Sequence, residues 1–458
     1  MKIEVSHRLN MDNTNTDWKP LLLERASIDT LRSDTYRRFI LETAIVPGCR
    51  LLLARHRRHP AWPYVDTKFN PNTGEDLPPR AFGVVYTWFL GRGSEALDEH
   101  LRVLDGLDAL APDERIALRR LFAAWIANMT GTIITLADRY GDRIPFRVNR
   151  DLRAVLADGT PAEVDTTRTG AGDLFCAKGL MSSADPAVQR RGLELFHRCA
   201  RLVDEQRVDM EQTTASPGGR SHGMFMLFQG AATCFARKAI DPAARHEAIN
   251  TAARFLALAL DVHYDPATAI FSEYVDAESG QRGTVLDPGH ANELVGLGLC
   301  MLEAFEQAPP ALQEKHGVLL GRARRELPRL LIKSMELGYN RRHPGLFKTV
   351  DNRTGVPIDT GMPWWNLPET MRAAVRAAAV AETEEIRQGC LEAFRLCHNA
   401  YFTQYLNRAN MLFPYQTLDG ATGHVVDTVP AVPEGDPLYH ANTAFLDMLD
   451  VMAVFPND

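Results

Sequence analysis

The sequence predicts an all-α fold in which helix pairs close into a toroid. Three observations carry this. Most of the 458 residues fall into eleven stretches whose apolar side chains recur every three or four positions. Strand-like material is sparse and local. No repeat of about 34 to 47 residues runs through the chain, as an open α-solenoid would require.

The first expected helix is Thr35–Val46, with Phe39, Ile40 and Ala44 on one side and Pro47-Gly48 as its stop. Ser94–Leu104 follows, then Asp113–Leu136 behind the start signal Ala111-Pro112. Asp185–Glu205, Gly223–Lys238 and the Ala/Leu-rich Ala243–Leu260 come next. The remainder are Ala291–Phe305, Ala311–Leu337, Pro368–Ala381, Glu384–Leu406 and His440–Val454. Between them, Phe271–Val275 and Leu346–Val350 each precede a polar turn and read as short hairpins. Tyr64–Lys68, before Asn70-Pro71-Asn72-Thr73-Gly74, repeats that theme. Six pairs need a twelfth helix, so one is expected in a stretch that reads as loop. Gly/Pro-rich stretches such as Ser216–Gly219 are short, and no linker divides the chain. One domain over 1–458 is expected, with residues 1–34 as an N-terminal extension.

Composition narrows the function. Fifty-one Lys+Arg against 58 Asp+Glu give a net charge of −7, which offers nucleic acid and anionic membranes no attraction. Apolar residues at 45% and charged residues at 24% are those of a globular core, not of a disordered chain. The longest apolar run, Leu294–Leu302, falls well short of the roughly 20 residues of a membrane span. Seven scattered cysteines with no C-x-x-C pair argue against a disulfide framework or zinc ribbon. With no apolar signal core at Met1–Val5, a cytoplasmic protein is expected. Phosphate-binding, dinucleotide, zinc-protease and nucleophile-elbow motifs are all missing.

Four short constellations could carry chemistry. In Asp287–Glu293, His290 enters the helix before Leu294 and Glu293 lies one turn on. A helix N-terminus disfavours the imidazolium, so His290 reads as a neutral base that Glu293 orients. In Gly361–Glu369, Trp364 and Trp365 offer an indole face to a sugar ring, and Glu369 lies near a helix start. In Tyr86–Gly93, Arg92 stands between two glycines beside Trp88, placed to hold an anionic or hydroxylated ligand. Leu438–Thr443 brings His440 to another helix entrance. Each has a plainer alternative: caps for the histidines and acids, core packing for the tryptophans, a surface position for the arginine.

Taken together and in order, these motifs resemble the N-acylglucosamine 2-epimerase family from about Tyr64 to Leu449. Trp88–Arg92 is similar to its W-x-x-G-R stretch, with Arg92 at the substrate-binding arginine. Ser221–Leu227, including Met226, resembles its Met-rich helix start, and Phe271–Tyr274 a hairpin carrying a site glutamate, here Glu273. Pro288-Gly289-His290 through Glu293 matches P-G-H-x-x-E, the most specific piece. Leu346-Phe347, Asp351 and Trp364-Trp365 through Glu369 match a further run, and Tyr439-His440 the final aromatic-His pair.

The resemblance implies an (α/α)6 barrel with short hairpins in its loops and its site in the central cavity. It also implies cofactor-free, metal-free 2-epimerisation of a reducing N-acylglucosamine- or mannose-type monosaccharide. His290, His440, Arg92 and Glu293 would be the catalytic group, and Glu273, Trp364, Trp365, Glu369, Trp88 and Met226 would bind the sugar. The small-molecule sugar is the expected partner, with no nucleic acid or membrane; a homodimer is compatible with this. Two departures stand out. Thr443 occupies the place of an arginine found in many relatives, and Met224 and Met226 that of a histidine pair in cellobiose 2-epimerases, which disfavours a disaccharide. His222 is the nearest histidine to that pair's position. An aldose–ketose isomerase on the same site is the first alternative. A glycoside hydrolase, using Glu273 with Glu369 or Asp66, is the second.

Overall fold

The computed structural model describes residues 20–209, 219–407, 414–426 and 434–455. Among them, six outer and six inner helices alternate along the chain. The outer helices are α1 (34–58), α3 (Pro112–Arg139), α5 (Pro186–Asp204), α7 (Pro242–Leu258), α9 (Pro310–Gly338) and α11 (Glu384–Ala400). The inner helices are α2 (Thr87–Val103), α4 (Ala171–Gly179), α6 (Gly223–Lys238), α8 (Pro288–Glu306), α10 (Asn366–Val380) and α12 (Ala444–Ala453). Each inner helix packs on the next, and the turn 439–443 before α12 packs back on α2, so the ring closes.

The patterning explains the two layers. In α8 nearly every residue from Pro288 to Phe305 is buried, so the helix is apolar all round and must be surrounded. In α5 only one stripe, Gly192, Leu195, Phe196, Cys199, Ala200 and Val203 with Leu202, is buried. Asp185, Asp241, Asp287 and Thr383 cap their helices through side-chain oxygens, and prolines open α3, α5, α7, α8 and α9.

Two expectations are corrected. Pro47-Gly48 does not stop the first helix: a π-helical segment, Leu41–Ile45, leads into Val46–Arg58 with Pro47 in its first turn. The wider turn changes the hydrogen-bond partners where the proline has no N–H to give. The region of Trp88 to Gly93 is also helical, because α2 begins at Thr87. The missing twelfth helix is α4, whose nine residues, flanked by glycines, are too short to show a period. Asp173 anchors its start, accepting from Gly170 N and Thr169 Oγ1, each at 2.9 Å.

Of the expected extension 1–34, residues 1–19 lie outside the described residues. The rest packs on the barrel: Leu23 N donates to Asn399 at 3.0 Å, and Ile28–Arg32 lies against α12. Ser216–Gly218 also lie outside the described residues. Among the described residues one helix, α3, is long and apolar enough to cross a membrane, and half of its apolar window is buried here. Run length missed it because Asn128, Thr130 and Gly131 interrupt its apolar residues.

The hairpins carry one turn used four times: Asn70–Gly74, Asp276–Gly280, Asp351–Gly355 and Asp419–Gly423. In the last three, the Asp carboxylate accepts from backbone N–H groups two and three residues on and from a Ser or Thr hydroxyl. The closing glycine has positive φ each time, between 71° and 74°.

At one contact the inner ring touches backbone to backbone. A Cβ on Gly91 would stand 2.2 Å from Phe175 O, and one on Gly179 would stand 2.5 Å from Gly91 Cα. Gly91→Ala is expected to destabilise the protein by about 1–3 kcal/mol through overpacking. Gly131→Ala, in open space on α3, should be neutral or stabilise by up to about 1 kcal/mol. Urea denaturation of the two variants checks the contrast, and equal stabilities would refute the contact.

Candidate active site

Ring closure brings the first turns of the inner helices around one cavity of about 260 Å3. Trp88 and Arg92 come from α2, Phe175 from α4, Met224 and Met226 from α6, and His290 and Glu293 from α8. Trp364 and Trp365 precede α10, and His440 precedes α12. Glu273 and Lys348 reach in from hairpins. Nine of the ten expected site residues thus line one space.

Glu369 is the exception. It is fully buried behind His440 rather than on the cavity wall, so it contacts the imidazole and not the space a sugar would occupy. A second correction concerns Glu293. It does not orient His290; its carboxylate lies within 4.8 Å of donor atoms of Glu369 and His440.

The two histidines flank Trp365, with ring centroids 5.6 Å (His290) and 5.3 Å (His440) from the indole. Their surroundings are opposite. Arg92 Nη1 donates to His440 Nε2 at 3.0 Å, and a guanidinium can only donate, so Nε2 carries the lone pair. His440 Nδ1–H then donates to Glu369 Oε1 at 3.0 Å. Arg372 pairs with the other oxygen, so both oxygens of Glu369 face donors. Burial, reinforced by Arg92, pushes the His440 pKa down to about 4. Burial pushes Glu369 up, against the pull of Arg372 and Arg92.

At His290, Nδ1 lies 3.3 Å from Glu273 Oε1 and 3.3 Å from Asp287 Oδ2, so it must carry a proton. Lys348 Nζ donates to Asp287 Oδ2 at 2.5 Å. Burial opposes the imidazolium, but Asp287 and then Glu273 outweigh it and hold the His290 pKa above the ordinary value. The two carboxylates in contact thus favour the imidazolium, against the neutral ring expected from the partial charge of a helix end.

Arg92 is caged by the rings of Phe175, Trp88 and Tyr439, at 4.1, 4.5 and 4.9 Å from its guanidinium carbon. Lys178, bonded to Glu95 at 2.7 Å and Tyr439 OH at 3.0 Å, backs that cage. Trp364 donates Nε1–H to Gln416 at 3.2 Å. Two donor groups have spacings that could hold a metal, His222/Glu273/His290 and Glu293/Glu369/His440. In the second, a cation would face Arg92 and Arg372, and both nitrogens of His440 already have partners.

Sequence reasoning missed Lys348, Gln416 and Asp436, and it named His222 only as the histidine nearest the absent pair. A signal existed for the first two. Glu273, Lys348 and Gln416 each stand three residues before the acid of a repeated turn, and each lines the cavity. Thr67, at the same offset before Asn70, donates at 2.8 Å to the cavity residue Glu434.

Known structures were compared with this fold. A cellobiose 2-epimerase from Bacillus thermoamylovorans superposes with a TM-score of 0.64 at 13% identity, over 92% of this chain and 99% of its own. A D-mannose isomerase gives 0.60 at 13% identity, over 92% and 98%. A sugar epimerase from a ruminal bacterium gives 0.61 at 13% identity, over 89% and 98%. The chain has their fold. The expected (α/α)6 barrel is thus the observed architecture, and its cavity lies at the end where the inner helices begin. No family model matches the sequence, and no curated protein matches it.

The buried histidines set a pH dependence. His440 and His263 titrate at about 4 and about 3 when folded, each lowered first by burial, against about 6.5 when unfolded. The unfolded chain therefore binds more protons in this window, and stability is lost as pH falls from about 6.5 toward 4. Thermal melts across that range should show Tm declining, less steeply in His440→Asn. An identical slope in that variant would refute the burial of a neutral His440.

Proposed function

We propose that this protein is a cofactor-independent isomerase of the N-acylglucosamine 2-epimerase type, acting on the open-chain form of a reducing monosaccharide. The observation that carries the reading is the pair of imidazoles on one indole, His440 with its Nε2 lone pair turned to Arg92 and His290 with a proton on Nδ1 between two carboxylates. The remaining groups support it. Arg92 donates to the carbonyl oxygen and then to the enediolate oxygen. His440 Nε2 takes the C2 proton, and His290 Nε2–H returns one to the opposite face. Glu369 and Glu273 fix the tautomers from behind. Cavity size favours a monosaccharide, since about 260 Å3 lies at the lower end for small-molecule sites. The methionines in place of the cellobiose enzymes' histidines favour it too.

The isomerase alternative differs only in the last step, in which His440 hands the same proton to C1 on the same face. The likeness to a D-mannose isomerase supports it as strongly as the epimerase likenesses support epimerisation. The hydrolase alternative loses its carboxylates. Glu369 is off the cavity, Glu273 is bound to two imidazoles, and Asp66 is buried against Arg55.

Incubation with hexoses and N-acyl hexosamines in D2O, followed by NMR, should show deuterium entering C2. His290→Asn and His440→Asn should each lose net turnover by about 10²–10⁴-fold while remaining folded. Each variant should still exchange C2–H of one epimer, and the two should prefer opposite epimers. Exchange of the same epimer by both would establish one-face transfer and the isomerase. A folded His290→Asn protein with wild-type turnover would overturn the role of that histidine.

A further inference from the structure

Behind the cavity lies a third histidine for which the reaction has no direct use. His222 is fully buried, just before α6, and does not line the cavity. Its Nε2–H donates to Glu273 Oε2 at 2.9 Å, while Oε1 of the same carboxylate accepts from His290 Nδ1 and from Ser221 Oγ at 3.1 Å. One buried carboxylate thus bridges two imidazoles. His222 Nδ1 is buried without a hydrogen-bond partner. The geometry therefore places a hydrogen on Nε2, toward the carboxylate.

We propose that His222 is a positioning residue: it holds the Glu273 carboxylate ionised and turned so that one oxygen stays on His290 Nδ1. This rests on the reading of His290 as the acid of the site. The groups around the bridge are few. Ser221 comes from the same strand as the start of α6, His263 from the turn before the hairpin, and Asp287 and Lys348 lie beyond His290. His263 is 5.7 Å from His222 between ring centroids and is held neutral by burial, donating Nδ1–H to Ser272 O at 2.8 Å. Among the described residues Ser221, His222 and His290 hydrogen-bond the Glu273 carboxylate, and the Lys348 ammonium acts on it from farther off. A hydrogen bond to a buried carboxylate favours its charged form, and burial without one favours the neutral acid.

The test compares His222→Leu, which removes the donor, with His222→Gln, whose amide N–H can take the place of Nε2–H. In His222→Leu the protonation of Glu273 should move up by about one pH unit or more, the size of a hydrogen bond to a charged group. Two readouts follow it. The Cε1–H resonance of His290, observed with labelled histidine, should show its acid step displaced to higher pH; this needs no substrate. The acid limb of kcat/KM should move the same way, with kcat reduced and KM little changed. His222→Gln should keep both near wild type. An unmoved acid step in folded His222→Leu would overturn the proposal, as would equal loss in both variants with unshifted profiles. If no sugar is turned over, the resonance alone still decides the role of His222, and the reading of the reaction fails separately.

Discussion

Six inner helices can close one ring only if neighbouring helices nearly touch, and the rest of the molecule depends on that close approach. Gly91 and Gly179 let α2 and α4 meet without side chains between them, and a Cβ on Gly289 would stand 2.2 Å from Asn366 at the start of α10. Two consequences follow. The cavity is walled by residues at and just inside the starts of the inner helices and by hairpin residues, which are otherwise separated by up to several hundred positions in the chain. The positive ends of the inner helices also converge there, a setting that favours developing negative charge. An enediolate oxygen is the species in the proposed reaction that would gain from it.

Within this common setting, contact chemistry makes two like residues different. His290 and His440 both enter from short loops at helix starts and both rest on Trp365. His290 meets two carboxylates and keeps a proton; His440 meets a guanidinium and keeps a lone pair. A direct charge at about 3 Å is unscreened in a buried site and decides the state of each ring more firmly than a helix end shared by both. Glu369 shows the same logic from behind, where Arg372 and His440 satisfy both oxygens and offset part of the cost of its burial.

What could be read from the sequence divides along physical lines. Long helices with an apolar stripe were legible, and so was the hairpin at 351, because period and turn chemistry are local properties. Helix α4 was not, because nine residues between glycines carry too few turns to show a period. The fusion of 34–40 with 46–58 was hidden because Pro47 normally terminates a helix, and the π segment that accommodates it leaves no compositional mark. In the site, residues of unusual chemistry within compact motifs were found: Arg92, His290, Trp365 and His440. Partners chosen by tertiary contact were not. Glu293 was assigned to the histidine nearest in sequence, whereas the fold gives His290 to Glu273 and Asp287. The repeated turn was the overlooked signal, since its fixed offset places Lys348 and Gln416 without any knowledge of the fold.

Arg92 joins these arguments. Three aromatic rings hold its guanidinium, Nε has no hydrogen-bond partner, and no carboxylate pairs with it among the described residues. Its acceptor is the Nε2 lone pair of His440, the same lone pair the proposed base needs. In this geometry the cation covers the proposed base. A sugar carbonyl entering the cage competes for the guanidinium, and its claim strengthens as charge builds on the oxygen. Each increment of charge that draws Arg92 away also frees the nitrogen that must accept the proton. In the proposed reaction, release of the base and stabilisation of the oxyanion would be one movement, caused by a ligand with an acceptor oxygen at that point.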